Sequence, residues 1–262
     1  MKEICKELND EYEALDAIVA PLSDEQWNLM TPSVGWNIKY QIAHVAWADM
    51  LARMATTDEE AFKSLLESMI TNRDAIDAFQ TELREAEPAY VMESWRRERK
   101  ELVDALQSRD PKDRIPWFGP TMSARSKATA RIMETWAHGQ DVVDALGIER
   151  KETDRLKHVA HIGLITFGWS YMNRGLNVPD VAVRVELNGP SGDIWTWGPE
   201  DASQSIKGPA QDFCLVVIQR RHVDDTKLEV TGDTARDWML KAQAFAGPPT
   251  DGPKAGERVI KK

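Results

Sequence analysis

The 262-residue chain has only two cysteines, Cys5 and Cys214, far apart and without a CxxC spacing. That excludes a disulfide framework and a cysteine metal site, and it fits a reducing cytoplasm. A basic surplus is lacking too: 33 Lys and Arg stand against 43 Asp and Glu, for a formal charge of −10, and the basic residues are dispersed. Nucleic-acid phosphates and anionic membrane surfaces need a basic footprint, so neither is an expected partner. No apolar run approaches the roughly 20 residues that span a bilayer. The first residues, Met1 to Leu8, are amphipathic and acidic, without the apolar core of a signal peptide. The expectation is a soluble, unexported, cytoplasmic protein, monomer or homodimer, acting on a small molecule.

What is present falls into two textures. At 42% apolar the chain can bury one large core or two smaller ones, and two domains fit this length better. Ile4, Leu8, Tyr12, Leu15 and Ile18 predict a helix over 3–20 that Pro21 closes. A short turn follows from Asp24. Asn37 is an N-cap for a helix to about Ala55, a third helix fits 59–83, and Pro88 opens another to about Leu106. Pro111, Pro116, Gly119 and Pro120 break the pattern, and Ser123 begins a helix that stops at Gly147, a favourable residue just past a helix end. No strand is expected before residue 148.

Beyond it the reading is one long helix over 153–174, an alternating strand over 181–187, a turn at Asn188-Gly-Pro-Ser-Gly, and a partner strand Ile194-Trp-Thr-Trp. A strand over 203–207, a helix over 209–221, a strand over 227–231 and a last helix from Asp233 as cap through Ala246 follow. The tail from Gly247, rich in Pro and Gly, is expected to be extended or mobile. Residues 1–147 therefore form a helical domain and 148–262 an α+β domain, with no internal repeat.

The chemistry lies on two of the helices. Glu134 and His138 are one helical turn apart, so a carboxylate and an imidazole share a face. With five His and 43 acidic residues, one such spacing arises by chance at roughly even odds, so context carries the weight. His44 shares its face with Tyr40, Trp47, Ala48 and Leu51, while Glu134 and His138 continue through Ala130, Asp141 and Val142. Both stripes look inward. Buried ionised groups need compensation, and a cation shared by His44, Glu134 and His138 would supply it. Three such ligands leave a fourth position open, as in a catalytic divalent site.

Gly35-Trp-Asn-Ile-Lys-Tyr-Gln-Ile-Ala-His44 and Glu134-Thr-Trp-Ala-His138-Gly-Gln-Asp141 resemble the mycothiol-dependent maleylpyruvate isomerase N-terminal domain, one of the DinB-like metal-binding bundles. Leu187-Asn-Gly-Pro-Ser-Gly, Trp195-Thr-Trp-Gly and Val230-Thr-Gly-Asp are similar to its accompanying C-terminal domain, which is like sterol-carrier-protein folds. Met122-Ser-Ala-Arg-Ser and Gln243-Ala-Phe-Ala-Gly-Pro-Pro resemble an actinobacterial metal-binding subgroup with no assigned reaction. The resemblance implies a mixed α plus α/β chain: a DinB-like up-and-down four-helix bundle over 1–147, then a smaller α+β domain with an antiparallel or mixed sheet. It also implies His44, Glu134 and His138 as metal ligands, zinc as the usual metal, and mycothiol as cosubstrate. Asn37-Ile38 stands where the family commonly has Thr-Val, which keeps a capping side chain.

On that pattern a thiolate attacks a small electrophile. Addition to a conjugated double bond allows rotation and then elimination, which is isomerisation; a retained adduct is transfer. A metal- or ligand-binding protein without catalysis and a zinc-dependent hydrolase remain open, since one bundle hosts several chemistries. Around the ligands, Asp141 is a candidate to accept an imidazole N–H, and Arg131 to pair with Glu134 or meet an anionic substrate. Asp49 should point away from the ligand face. Trp36, Trp47 and Trp136 are expected in the core, with lining of the pocket as the alternative. Arg174, Arg220 and Arg221 are candidates to meet thiol or substrate carboxylates across a domain interface. Cys214 reads as a buried thiol, and His158 and His161 as structural.

Overall fold

Ile4, Leu8, Tyr12, Leu15 and Val19 line the buried face of α1 (Lys2–Val19), each about one turn beyond the last. In the computed structural model, which describes residues 1–71, 81–119 and 121–258, this helix belongs to the first of two units, Met1–Ile148 and Glu149–Lys262. Asp24 opens a short helix, α2 (Asp24–Trp27), rather than a turn, because Ser23 and Gln26 close a capping box. Helix α3 (Ile38–Thr57) begins at its Asn37 cap, whose side chain accepts from Tyr40 N at 2.9 Å. Such a cap contributes about 1 kcal/mol. The third expected helix is present as α4 (Glu59–Thr71) and as helical residues 81–85; its middle lies outside the described residues. Helices α5 (Pro88–Gln107) and α6 (Ala124–Leu146) complete the unit, the latter ending at Gly147 with φ 64°.

Four long helices form the bundle: α3 packs on α5 and α6, and α1 packs on the same two. Chain neighbours α1 and α3 thus stand on a diagonal, and α3 faces α6 directly. One expectation fails here. Arg114–Ile115 (β1) and Met122–Ser123 (β2) pair antiparallel, so this unit does contain strands; two-residue strands carry no alternation to read.

In the second unit the long helix expected over 153–174 is two helices, α7 (Leu156–Ile165) and α8 (Phe167–Met172). Thr166 divides them, its hydroxyl donating back to Ile162 O at 2.8 Å, a bond that bends helices. Strand β3 (Val183–Asn188) pairs antiparallel with β4 (Ile194–Trp197) through the expected hairpin, and parallel with β5 (Gln204–Pro209), which pairs antiparallel with β6 (Glu229–Thr231). The sheet is mixed, in the order β4-β3-β5-β6. Helix α9 (Ala210–Val217) buries Phe213, Val216 and Val217 and packs on α7 and on β3 and β5.

The last helix, α10 (Asp233–Lys241), stops short of Ala246, and Asp233 is not its cap. Gly232 holds that position at φ 93°, and Gln204 Oε1 reaches from β5 to accept from Thr234 N and Ala235 N. The tail is extended but pinned. Thr250 exchanges hydrogen bonds with Gln219, Gln243 Oε1 accepts from Thr250 N, and Asp225 accepts from Gly256 N at 2.8 Å. No described helix is long and apolar enough to cross a membrane.

Candidate metal centre

Helices α3 and α6 face one another, and their facing residues bring His44, Glu134 and His138 together. Their potential ligand atoms all lie within 4.8 Å of one another, the one such cluster of His, Cys, Asp or Glu among the described residues. The imidazole centroids of His44 and His138 are 4.6 Å apart, and His138 Nε2 lies 3.4 Å from Glu134 Oε2. An ion about 2 Å from each donor spans such separations after small rotamer adjustment. His44 Nδ1 is buried with no hydrogen-bond partner, although nearly all buried polar atoms have one. Two imidazoles, one of which carries this orphaned nitrogen, and one carboxylate fit a divalent ion. His138 and Glu134 retain 12% and 26% side-chain exposure, so a small molecule can reach the cluster.

The protonation states agree with that reading. Burial, and then the neighbouring His138, push His44 down to about 3, which leaves a neutral imidazole at neutral pH. Burial works to raise the Glu134 carboxyl, but the hydrogen bond with His138 and the charges of His138, Arg131 and His44 bring it to about 2. The centre thus presents a neutral imidazole beside an ionised carboxylate. His138 turns its Nδ1 to Gln41 Oε1 at 2.5 Å and its Nε2 towards Glu134.

Aromatic rings wall the cluster. Trp36 stands edge-on to His44, centroids 5.2 Å apart, and stacks on His138 at 5.9 Å; Trp47 lies 5.7 Å from His44. These two tryptophans are half-buried wall rather than core, while Trp136 is buried as expected. The Arg84 guanidinium lies over the rings of Trp36 and Tyr40 at 5.3 and 4.9 Å. It adds a cation beside the centre that no sequence pattern marked.

The two expected neighbours of the ligands have these partners. Asp141 accepts from Ser33 Oγ at 2.9 Å and ties the loop before α3 to α6, while His138 Nδ1 meets Gln41. Arg131 does not turn to Glu134. Its Nε donates to Asp49 Oδ1 at 2.7 Å in a fully buried ion pair, and the same carboxylate accepts from Tyr12 Oη at 2.5 Å and Trp95 Nε1 at 3.2 Å. Asp49 does point away from the ligands, but to anchor three helices. Burial raises its carboxyl against the pull of those partners. In the second unit, Arg174 donates to Ser170 O and to the tail at Thr250 O and Asp251, Arg220 to Ile218 O, and Arg221 to Arg220 O. Arg221 also lines a cavity of about 220 Å³ with His222 and Lys254.

Lys127 lies two turns before Glu134 on α6, with Nζ 3.2 Å from the Trp117 ring centroid and no hydrogen-bond partner. Burial, then the charge of Arg131, push its amine down to about 6. Between that value and the ordinary lysine range, the unfolded chain binds a proton that the folded one does not, so this residue makes stability rise with pH. Lys127→Met is expected to stabilise by on the order of 2–4 kcal/mol at pH 7 and to flatten the rise towards pH 10. Denaturant unfolding at several pH values measures both, and a less stable variant would refute the assignment.

A four-helix bundle with an accessible His2Glu cluster, followed by an α+β unit, defines the class of protein. Residues 8–143 match the family model described as mycothiol maleylpyruvate isomerase N-terminal domain, and the chain belongs to that family. Residues 179–230 match a second model, described as wyosine base formation. Uncharacterized proteins from two strains of Mycobacterium tuberculosis are each 44% identical over 247 residues, 94% of this chain and 96% of theirs. Crystal structures of the mycothiol-dependent maleylpyruvate isomerase and of a mutant share the fold, with TM-scores of 0.58, identities of 17% and 16%, and 95% of each chain covered.

Proposed function

We propose that the chain is a metal-dependent enzyme that uses a low-molecular-weight thiol, mycothiol on the family pattern, to isomerise or to form an adduct with a small electrophilic metabolite. The observation that carries this is the cluster of His44, Glu134 and His138, three donors of which His138 and Glu134 are partly exposed. A divalent ion held there, zinc on the donor set, would favour the thiolate of a bound thiol. His44 and Glu134 supply a neutral nitrogen and an ionised oxygen without having to shed protons at neutral pH. Trp36 and Trp47 limit water around the imidazoles.

The chain's own thiols are poor nucleophiles: Cys5 and Cys214 are buried, and burial raises both. An external thiol follows. Arg84, beside the centre, and Arg174, Arg220 and Arg221, in the α+β unit, are the proposed cations for carboxylates of thiol or substrate. Action in a reducing cytoplasm belongs to the same proposal.

The test is metal analysis of the purified protein joined to a screen of conjugated carbonyl substrates with and without thiol. Near-stoichiometric zinc and turnover that requires thiol support the proposal. Turnover that ignores thiol would make the protein a hydrolase, and zinc without turnover a binding protein.

A further inference from the structure

Hydrogen-bond direction can be followed into the centre from a group that has no choice. The Trp36 carbonyl can only accept, and it accepts from both Thr31 N and Thr31 Oγ1, each at 2.8 Å. The Thr31 hydroxyl proton is therefore spent on Trp36, so Thr31 Oγ1 must accept from its other neighbour, the Gln41 side chain at 2.9 Å. That requires Gln41 to turn its NH2 to Thr31 and its Oε1 to His138. Oε1 in turn can only accept, so His138 must carry a proton on Nδ1, 2.5 Å away, which leaves Nε2 as the nitrogen that can offer a lone pair to an ion. Nε2 is the nitrogen that faces Glu134.

Every member of this relay is fixed in place. Gln41 and Thr31 are buried, the former completely. The loop that supplies Thr31 and Trp36 is held by a bridge between Met30 and Asn37, by Trp36 N donating to Ser33 O, and by Gly35 at φ 80°, a conformation that favours glycine. The same loop presses the Trp36 ring on both imidazoles, so ring packing and proton placement come from one short segment.

We propose that Gln41, oriented by Thr31 and the Trp36 carbonyl, is a positioning residue that locks His138 in the Nδ1–H form and aims its Nε2 lone pair at the metal centre. This rests on the metal-centre reading. Without the amide oxygen, the proton can sit on Nε2, where it donates to Glu134 and removes a ligand from the set.

The experiment uses full-length protein, zinc as the probe, and competition against a chelator of known affinity. Outer hydrogen-bond partners of ligating histidines contribute about 10–100-fold to metal affinity, and Gln41→Leu is expected to lose that much. Gln41→Glu, which still accepts from Nδ1–H, should stay within about threefold. Thr31→Val, which frees the amide to turn over, should fall between them. A second arm reads imidazole nitrogen shifts in the metal-free wild type by NMR, where His138 should show its proton on Nδ1; this arm needs no variant to fold. Zinc affinity of Gln41→Leu within about twofold of wild type, or a His138 Nδ1 without a proton, overturns the proposal. If His138→Ala itself keeps zinc, the metal-centre reading fails, while the NMR arm still decides the tautomer.

Discussion

Arg131→Met is expected to destabilise the chain by about 3–5 kcal/mol, because it leaves the Asp49 carboxylate buried without its counter-ion. Asp49 has no exposed surface, and its remaining partners, Tyr12 and Trp95, only donate hydrogen bonds. Asp49→Asn should cost a similar amount for the mirror reason, a guanidinium stranded between α3 and α6. The informative variant is the double one, Arg131→Met with Asp49→Leu. Removing both charges replaces a desolvated pair by apolar contact, so the double variant should be clearly more stable than the sum of the single effects allows. Denaturant unfolding of all four proteins gives the coupling. Additivity within about 0.5 kcal/mol would mean that the pair is not a unit. Zinc content separates this role from ligation: Arg131 helps hold Glu134 ionised but donates nothing to the cluster, so Arg131→Met should still bind zinc when folded.

That ion pair also marks where the sequence stops being readable. Asn37, Ser123 and Gly147 could be assigned as helix boundaries because capping is a local event within three or four residues. His44, Glu134 and His138 could be grouped because helical period placed each on an inward stripe and a family motif joined them. Arg131 looked like an intrahelical partner of Glu134, yet it pairs with a residue 82 positions away. Gln41 carried no signal beyond being a polar residue on an apolar helix, since its meaning comes from Thr31 and from His138, 97 positions on. The same holds for Gln204, which caps α10 from another strand and displaced the local candidate Asp233. It holds again for the tail, where composition left extended and mobile open and hydrogen bonds with Gln219 and Gln243 pin an extended chain. Periodicity and caps report local preference, whereas a buried polar atom takes whichever partner the fold delivers.

The largest functional effect should come from the ligands themselves. His44→Ala and His138→Ala are each expected to reduce bound zinc from near one per chain to near zero, measured by metal analysis after gel filtration. Stability offers a sharper test, through the unpartnered Nδ1 of His44. In zinc-free protein that atom is a liability of about 1–3 kcal/mol, the cost of a buried polar group left unsatisfied. His44→Leu removes it, so after chelation this variant should be at least as stable as wild type. With zinc at 1,000 times its dissociation constant, wild type alone should gain about 4.1 kcal/mol, more than that liability, and the order of stability should reverse. A histidine kept for packing would make His44→Leu worse, or equal, under both conditions. Only a residue retained for an ion exchanges places with leucine when the ion is supplied.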